Sequence, residues 1–204
     1  MAQGMAMRHK SGQAGHGSGG HSGTVLDPQR VFEGIGLKSG DTLLDVGCGG
    51  GRFSIPGAEI VGERVKVYAL DASEERLAPL REAITVRNLA NIEAFVDDVT
   101  KHISVSDNGI DVCLMANVFH GLVERDTIEY ALREIRRVLK PDGILAVVDF
   151  KKNAERPPGP PPSVRLSPEE VEELVAKHGF EKGHSVDIGP YQYLVLFDSV
   201  VEGG

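Results

Sequence analysis

Three glycines at alternate positions follow a carboxylate at the end of an apolar run: Leu43-Leu44-Asp45-Val46-Gly47-Cys48-Gly49-Gly50-Gly51-Arg52. Glycine lacks a Cβ, so the backbone can bend sharply there and a ligand can approach its N–H groups closely. Such a bend suits a nucleotide-like cofactor lying across the end of a first strand. A dinucleotide fingerprint needs Gly-x-Gly-x-x-Gly, and counted from Gly47 its third glycine falls on Arg52. A Walker loop ends in Gly-Lys-Ser/Thr, which is absent here. Asp45 discriminates further, because a carboxylate beside the bend attracts a cationic group and repels a pyrophosphate. Asp71 closes a second apolar run, where a carboxylate can accept from both ribose hydroxyls. Its competing role is to cap the next helix, and Ser73 competes for that cap. His120 follows a fourth apolar run, and its ordinary pKa suits proton transfer near neutrality. It is the candidate general base, with cleft lining as the competing role. Asp149 ends a fifth run and could bind substrate or orient His120.

S-adenosylmethionine carries an amino group and a sulfonium and has no phosphate, which matches the loop. At these residues the chain resembles the class I S-adenosylmethionine-dependent methyltransferases, of the small-molecule type 11 or UbiE-like kind. The resemblance extends over about residues 25 to 201. Arg137-Val138-Leu139-Lys140-Pro141-Asp142-Gly143 fits the family's R-x-L-K-P-x-G signature before a fifth strand. The resemblance implies cofactor contacts from Asp45, Gly47, Cys48 and Gly49, and from Asp71 with Ala72. It also implies contacts from Asn117 and from Asp97, Asp98 and Val99, one of the two acids accepting from the adenine amino group. Asp98 is the first choice for that acid and Asp97 the alternative. No metal is implied.

These residues need a sheet to hold them at one edge. Apolar strand-like runs at 42–46, 66–70, 92–96, 110–116 and 143–149 alternate with helical segments at 52–61, 73–88 and 125–139. Such alternation predicts an α/β fold, a mostly parallel Rossmann-like sheet covered by helices on both faces. Asp27-Pro28 opens a helix before the first strand, and Ser167-Pro168-Glu169-Glu170 opens the last one. Segments 181–188 and 193–201 flank Gly189-Pro190 and can form a hairpin, to which the resemblance adds an antiparallel last strand, seven in all. Within 127–139, Ile128, Ala131, Leu132, Ile135, Val138 and Leu139 form a packed face, and the arginines are expected in solvent.

The chain has 204 residues, 22 basic and 30 acidic, for a net charge of −8. One domain of that length buries a full core. The negative balance opposes binding to a nucleic-acid backbone, so nucleic acid is disfavoured as a partner. Cys48 and Cys113 suggest no disulfide framework, and a reducing, cytoplasmic setting fits. No apolar run is long enough to span a membrane. Residues 1–24 are rich in Gly, Ser and His, with His9, His16 and His21 among glycines, and are expected to be flexible ahead of a domain at 25–204. By resemblance this segment could serve as a lid.

The expected activity is methyl transfer to a small molecule, an in-line displacement in which the protein aligns donor and nucleophile. Quinone-ring C-methylation is compatible with the motif order. The alternative is a non-catalytic S-adenosylmethionine-binding protein that regulates or scaffolds a partner. A nicotinamide oxidoreductase is disfavoured by Arg52. Acceptor, acceptor atom and oligomeric state are open.

Overall fold

The computed structural model describes residues 26–153 and 159–200. The expectations for residues 1–24, including a lid over the cleft, lie outside the described residues.

The chain begins with helix α1 (Pro28–Ile35), where Asp27 accepts from the Gln29 N–H at 3.0 Å and proline fills the first turn. Strand β1 (Leu43–Val46) and helix α2 (Ser54–Val61) follow, then β2 (Val67–Asp71), α3 (Glu74–Arg87) and β3 (Ile92–Val96). Next come β4 (Ile110–Ala116), α4 (Phe119–Glu124), α5 (Ile128–Val138) and β5 (Leu139–Phe150). Helix α6 (Pro168–Val175), β6 (Phe180–Asp187) and β7 (Gln192–Ser199) complete the described fold. Ser167 and Glu170 form a reciprocal capping box at the start of α6.

The seven strands form one sheet in the order β3-β2-β1-β4-β5-β7-β6. β1 to β5 pair in parallel, and β7 pairs antiparallel to both β5 and β6. Alternate residues of each central strand face opposite layers. Leu44, Val46, Cys113, Met115 and Val147 pack against α5 and α6 through Leu132, Ile135 and Val171. Leu43, Val112, Leu114 and Val148 pack against α1 and α3 through Phe32 and Leu77. Buried on both faces, these strands read as continuous apolar runs. The predicted α/β fold is therefore the observed one. Strand order reverses where β1 lies between β2 and β4, and ligands of open α/β sheets bind at the carboxyl ends of strands at such a point.

Two elements differ from the sequence reading. The helix expected over 125–139 is preceded by a separate short helix, α4, and starts only at Ile128. Arg125 Nε donates to the Gly121 carbonyl at 2.7 Å, and Asp126 adopts φ 56°, which breaks the helix between them. His120 thus stands on the first turn of a helix. Strand β5 begins at Leu139 rather than Gly143, because the Lys140–Gly143 stretch runs on in extended form beside a register shift in β4.

Candidate functional site

The bend after β1 is built from glycines in left-handed conformations: Gly47 at φ 72°, Gly49 at 50° and Gly51 at 83°. A Cβ on Gly47 would stand 2.5 Å from Val118 Cγ2, so the close approach of the β4–α4 turn requires glycine. The Gly47 and Cys48 N–H groups donate to the Leu70 carbonyl at 2.8 and 3.0 Å, tying the bend to the end of β2. Gly49 N–H donates to Asp71 Oδ2 at 3.1 Å, and Ser73 N–H donates to Asp71 Oδ1 at 3.0 Å. Asp71 is 3% exposed and borders a cavity of about 550 Å³. The helix cap belongs to Ser73, whose Oγ accepts from Arg76 N–H at 3.3 Å.

The same cavity is lined by Gly47, Ala72, Asp97, Asp98, Val99, Asn117 and His120. Asp97 Oδ2 accepts from Ser104 N–H at 2.7 Å. Asp98 accepts from the Thr100 hydroxyl at 2.6 Å and the Thr100 N–H at 3.0 Å, and meets Lys101 Nζ at 3.2 Å. The Thr100 hydroxyl leads in holding the Asp98 carboxyl below its ordinary value. Asp98 therefore also serves its own turn, whereas Asp97 has one oxygen turned to Ser104. Asn117 sits at φ 58° and gives its N–H to the Val148 carbonyl at 2.8 Å. Its Oδ1 is buried with no hydrogen-bond partner among the described residues.

His120 is 15% exposed in its side chain, and its Nδ1 lies 2.8 Å from Asp149 Oδ1. Asp149 is 1% exposed and also accepts from the His120 N–H at 3.0 Å and the Phe150 N–H at 2.7 Å. A carboxylate partner assigns the proton to Nδ1 and leaves Nε2 with its lone pair. Asp149 reaches the cavity only through His120, since it does not itself line the wall.

Asp45, Cys48 and Gly49 do not line the cavity. Asp45 is buried in β1 and accepts from Ser54 Oγ at 2.6 Å. Burial pushes its carboxyl up to about 6, and neighbouring Asp71 adds to the rise. Burial likewise pushes the Cys48 thiol well above its ordinary range, which leaves it unreactive. Tyr193 is buried and donates its hydroxyl to the Leu166 carbonyl at 3.0 Å, away from the cavity. Arg76 and Arg125 line the cavity without having been singled out in the sequence. Arg76 stands three residues past the Ser73 cap, a position whose side chain could have been placed from that cap.

Residues 37–189 match the family described as methyltransferase domain. A SAM dependent methyltransferase from Aquifex aeolicus is 37% identical, with 86% of this chain and 90% of that chain covered and a TM-score of 0.78. The chain belongs to the S-adenosylmethionine-dependent methyltransferase family. Among its curated relatives, a 2-phytyl-1,4-naphtoquinone methyltransferase of Synechocystis is 36% identical over 115 residues, 56% of this chain and 47% of the relative. A demethylmenaquinone methyltransferase of Listeria monocytogenes is 35% identical over 113 residues, 55% of this chain and 46% of the relative. The match spans about half the length of these curated relatives.

The methyltransferase site fits S-adenosylmethionine on its own residues. Gly47 borders the cavity, the buried Asn117 Oδ1 has no donor among the described residues, and Asp71 presents a fixed carboxylate. An amino group and ribose hydroxyls are donors that such acceptors take.

Proposed function

We propose that the protein transfers a methyl group from S-adenosylmethionine to a small-molecule acceptor, with His120 as general base and Asp149 orienting it. The contact that supports this reading is the 2.8 Å pairing of His120 Nδ1 with Asp149, at the wall of the cavity that Asp71 also borders. When bound, S-adenosylmethionine supplies a methyl group on a sulfonium whose leaving group is a neutral thioether. Asp71 would hold the ribose, Asp97 or Asp98 the adenine, and Asn117 the amino group; Asp45 would add negative charge behind the bend. His120 Nε2, with its lone pair free, would accept the proton of an acidic O–H as the acceptor becomes a nucleophile. Val118 and Leu122 line the same cavity and would help keep water from that nucleophile.

Relatives named for naphthoquinone and demethylmenaquinone methylation favour a hydroquinone-type acceptor, whose phenolic proton is one that an imidazole can take. We place the activity in the cytoplasm. Cys48 and Cys113 are free thiols, and no helix among the described residues is long and apolar enough to cross a membrane.

The test is incubation with methyl-labelled S-adenosylmethionine and a panel of reduced quinones and phenols. His120→Gln is expected to lower turnover by about 10²-fold or more. Affinity for S-adenosylhomocysteine should change by less than about threefold, under 1 kcal/mol. Retained affinity with no S-adenosylhomocysteine formed from any acceptor would overturn the enzymatic reading, and an unaltered rate in His120→Gln would remove the base.

A further inference from the structure

An imidazole hung from its Cβ turns about one bond, and a contact at Nδ1 stops that turn. The Nδ1 contact with both Asp149 oxygens, at 2.8 and 3.1 Å, fixes the tautomer and orientation of His120 for as long as a neighbour keeps the imidazole against the carboxylate. That neighbour is Phe150, the last residue of β5 and 8% exposed. Its ring meets the His120 ring at 6.1 Å between centroids and 71°, an edge-to-face arrangement.

Phe150 is in turn gripped from a proline-rich turn that the methyl-transfer reading does not use. Gly159 adopts φ 98°, and a Cβ on it would lie 2.5 Å from both Cε1 and Cζ of Phe150. The turn backbone therefore lies flat against the phenyl ring. Arg165 places its guanidinium 5.4 Å over the same ring. Its Nε and Nη2 both donate to the Pro160 carbonyl, at 2.9 and 2.6 Å, and its Nη1 donates to the Lys151 carbonyl at 3.2 Å. Arg165 is 3% exposed. One side chain thus fastens the turn to the end of β5 and covers the ring that abuts His120. Only a forked guanidinium can make the paired contact with Pro160 while lying over an aromatic face.

We infer that Gly159 and Arg165 are positioning residues for His120, acting through Phe150 to aim Nε2 into the cavity. The assignment rests on the reading of His120 as the general base, but its geometry is testable without an acceptor.

The experiment is nitrogen-detected NMR of the imidazole in the full chain, beside calorimetric titration with S-adenosylhomocysteine. The wild-type ring should show one tautomer, protonated at Nδ1. Gly159→Ala, Phe150→Leu and Arg165→Lys should each release the ring from Asp149 and mix the tautomers, seen as the two imidazole nitrogen shifts moving toward each other. Phe150→Tyr keeps the flat ring and should restore the wild-type signals. S-adenosylhomocysteine affinity should stay within about threefold in every variant, since the device acts on the His120 side of the cavity. Should Gly159→Ala fail to fold, Arg165→Lys and Phe150→Leu carry the same readout. The wild-type tautomer in the folded variants would overturn the inference, whereas loss of S-adenosylhomocysteine binding by the wild type would instead overturn the methyl-transfer reading.

Discussion

Replacing Asp45 with Asn should make the ligand-free protein more stable and its cofactor complex weaker. The Asp45 carboxyl is 1% exposed and titrates near 6, because burial disfavours its charged form more than the Ser54 hydroxyl favours it. An exposed aspartate titrates about two pH units lower, and that gap corresponds to roughly 3 kcal/mol. With the folded value raised, this stabilising contribution is complete below about pH 4 and is lost as pH rises through about 6. At pH 7.5 the folded chain therefore carries an unfavourable buried charge. Asp45→Asn removes it while keeping an oxygen for Ser54. The new amide N–H groups lack an evident partner, which takes back about 1–2 kcal/mol. A net gain of about 1–2 kcal/mol at pH 7.5 is expected, shrinking toward zero or reversing near pH 4.5. Urea unfolding of both proteins at a series of pH values measures it. The same substitution should weaken S-adenosylmethionine binding about tenfold, near 1.4 kcal/mol, because the loop loses its nearby negative charge. A variant that is less stable at pH 7.5, or equally shifted at every pH, would refute the argument that burial rather than hydrogen bonding governs this carboxyl.

Asp71→Ala leaves the Gly49 and Ser73 N–H groups without their acceptor, so a loss of about 2–4 kcal/mol in stability is expected in urea unfolding. Calorimetry with S-adenosylhomocysteine should show at least a tenfold weaker complex, about 1.4 kcal/mol. Gly47→Ala places a Cβ 2.5 Å from Val118 at φ 72°, which should destabilise by about 1–3 kcal/mol and loosen the bend that faces the cofactor. Arg137→Ala removes a guanidinium bonded to Glu134, Asp107 and the Ile103 and Val105 carbonyls, and leaves the Glu134 carboxylate, 17% exposed, short of its main cation. The expected cost is about 2–4 kcal/mol, read as a lower thermal midpoint.

Strand ends were legible in the sequence where an apolar run meets a polar residue, as Asp71 closes β2, Asp97 follows β3 and Asn117 follows β4. Helix α4 was not, because six residues with Gly121 among them carry no full turn-to-turn pattern. The start of β5 was hidden by Pro141-Asp142-Gly143, which read as a turn but lie in extended chain. His120 and Asp149 were each visible as candidates 29 residues apart, but their contact depends on the pairing of β4 with β5. Arg137 shows the opposite case. Helical phase places it beside a polar face, and only the return of residues 103–107 across α5 turns a solvated arginine into a clamp. That clamp also gives the Arg of the R-x-L-K-P-x-G signature a physical role, while Lys140 pairs with Asp111 at 2.6 Å beside the start of β1.

The acids of the site have a common construction that bears on how any mutation among them is read. Asp71 accepts from Gly49, across from β2 to the β1 bend. Asp97 accepts from Ser104, tying the tip of β3 to the stretch that Arg137 clamps. Asp149 accepts from the backbone of His120, joining β5 to the start of α4. Each carboxylate therefore shapes a loop and also faces, directly or through one side chain, the cavity where the cofactor would lie. Removing one acid relaxes a loop as well as deleting a contact, so an alanine variant overstates the contact. Asparagine variants keep one acceptor oxygen for the backbone donor, and the difference between the Asn and Ala variants at the same position separates the two contributions.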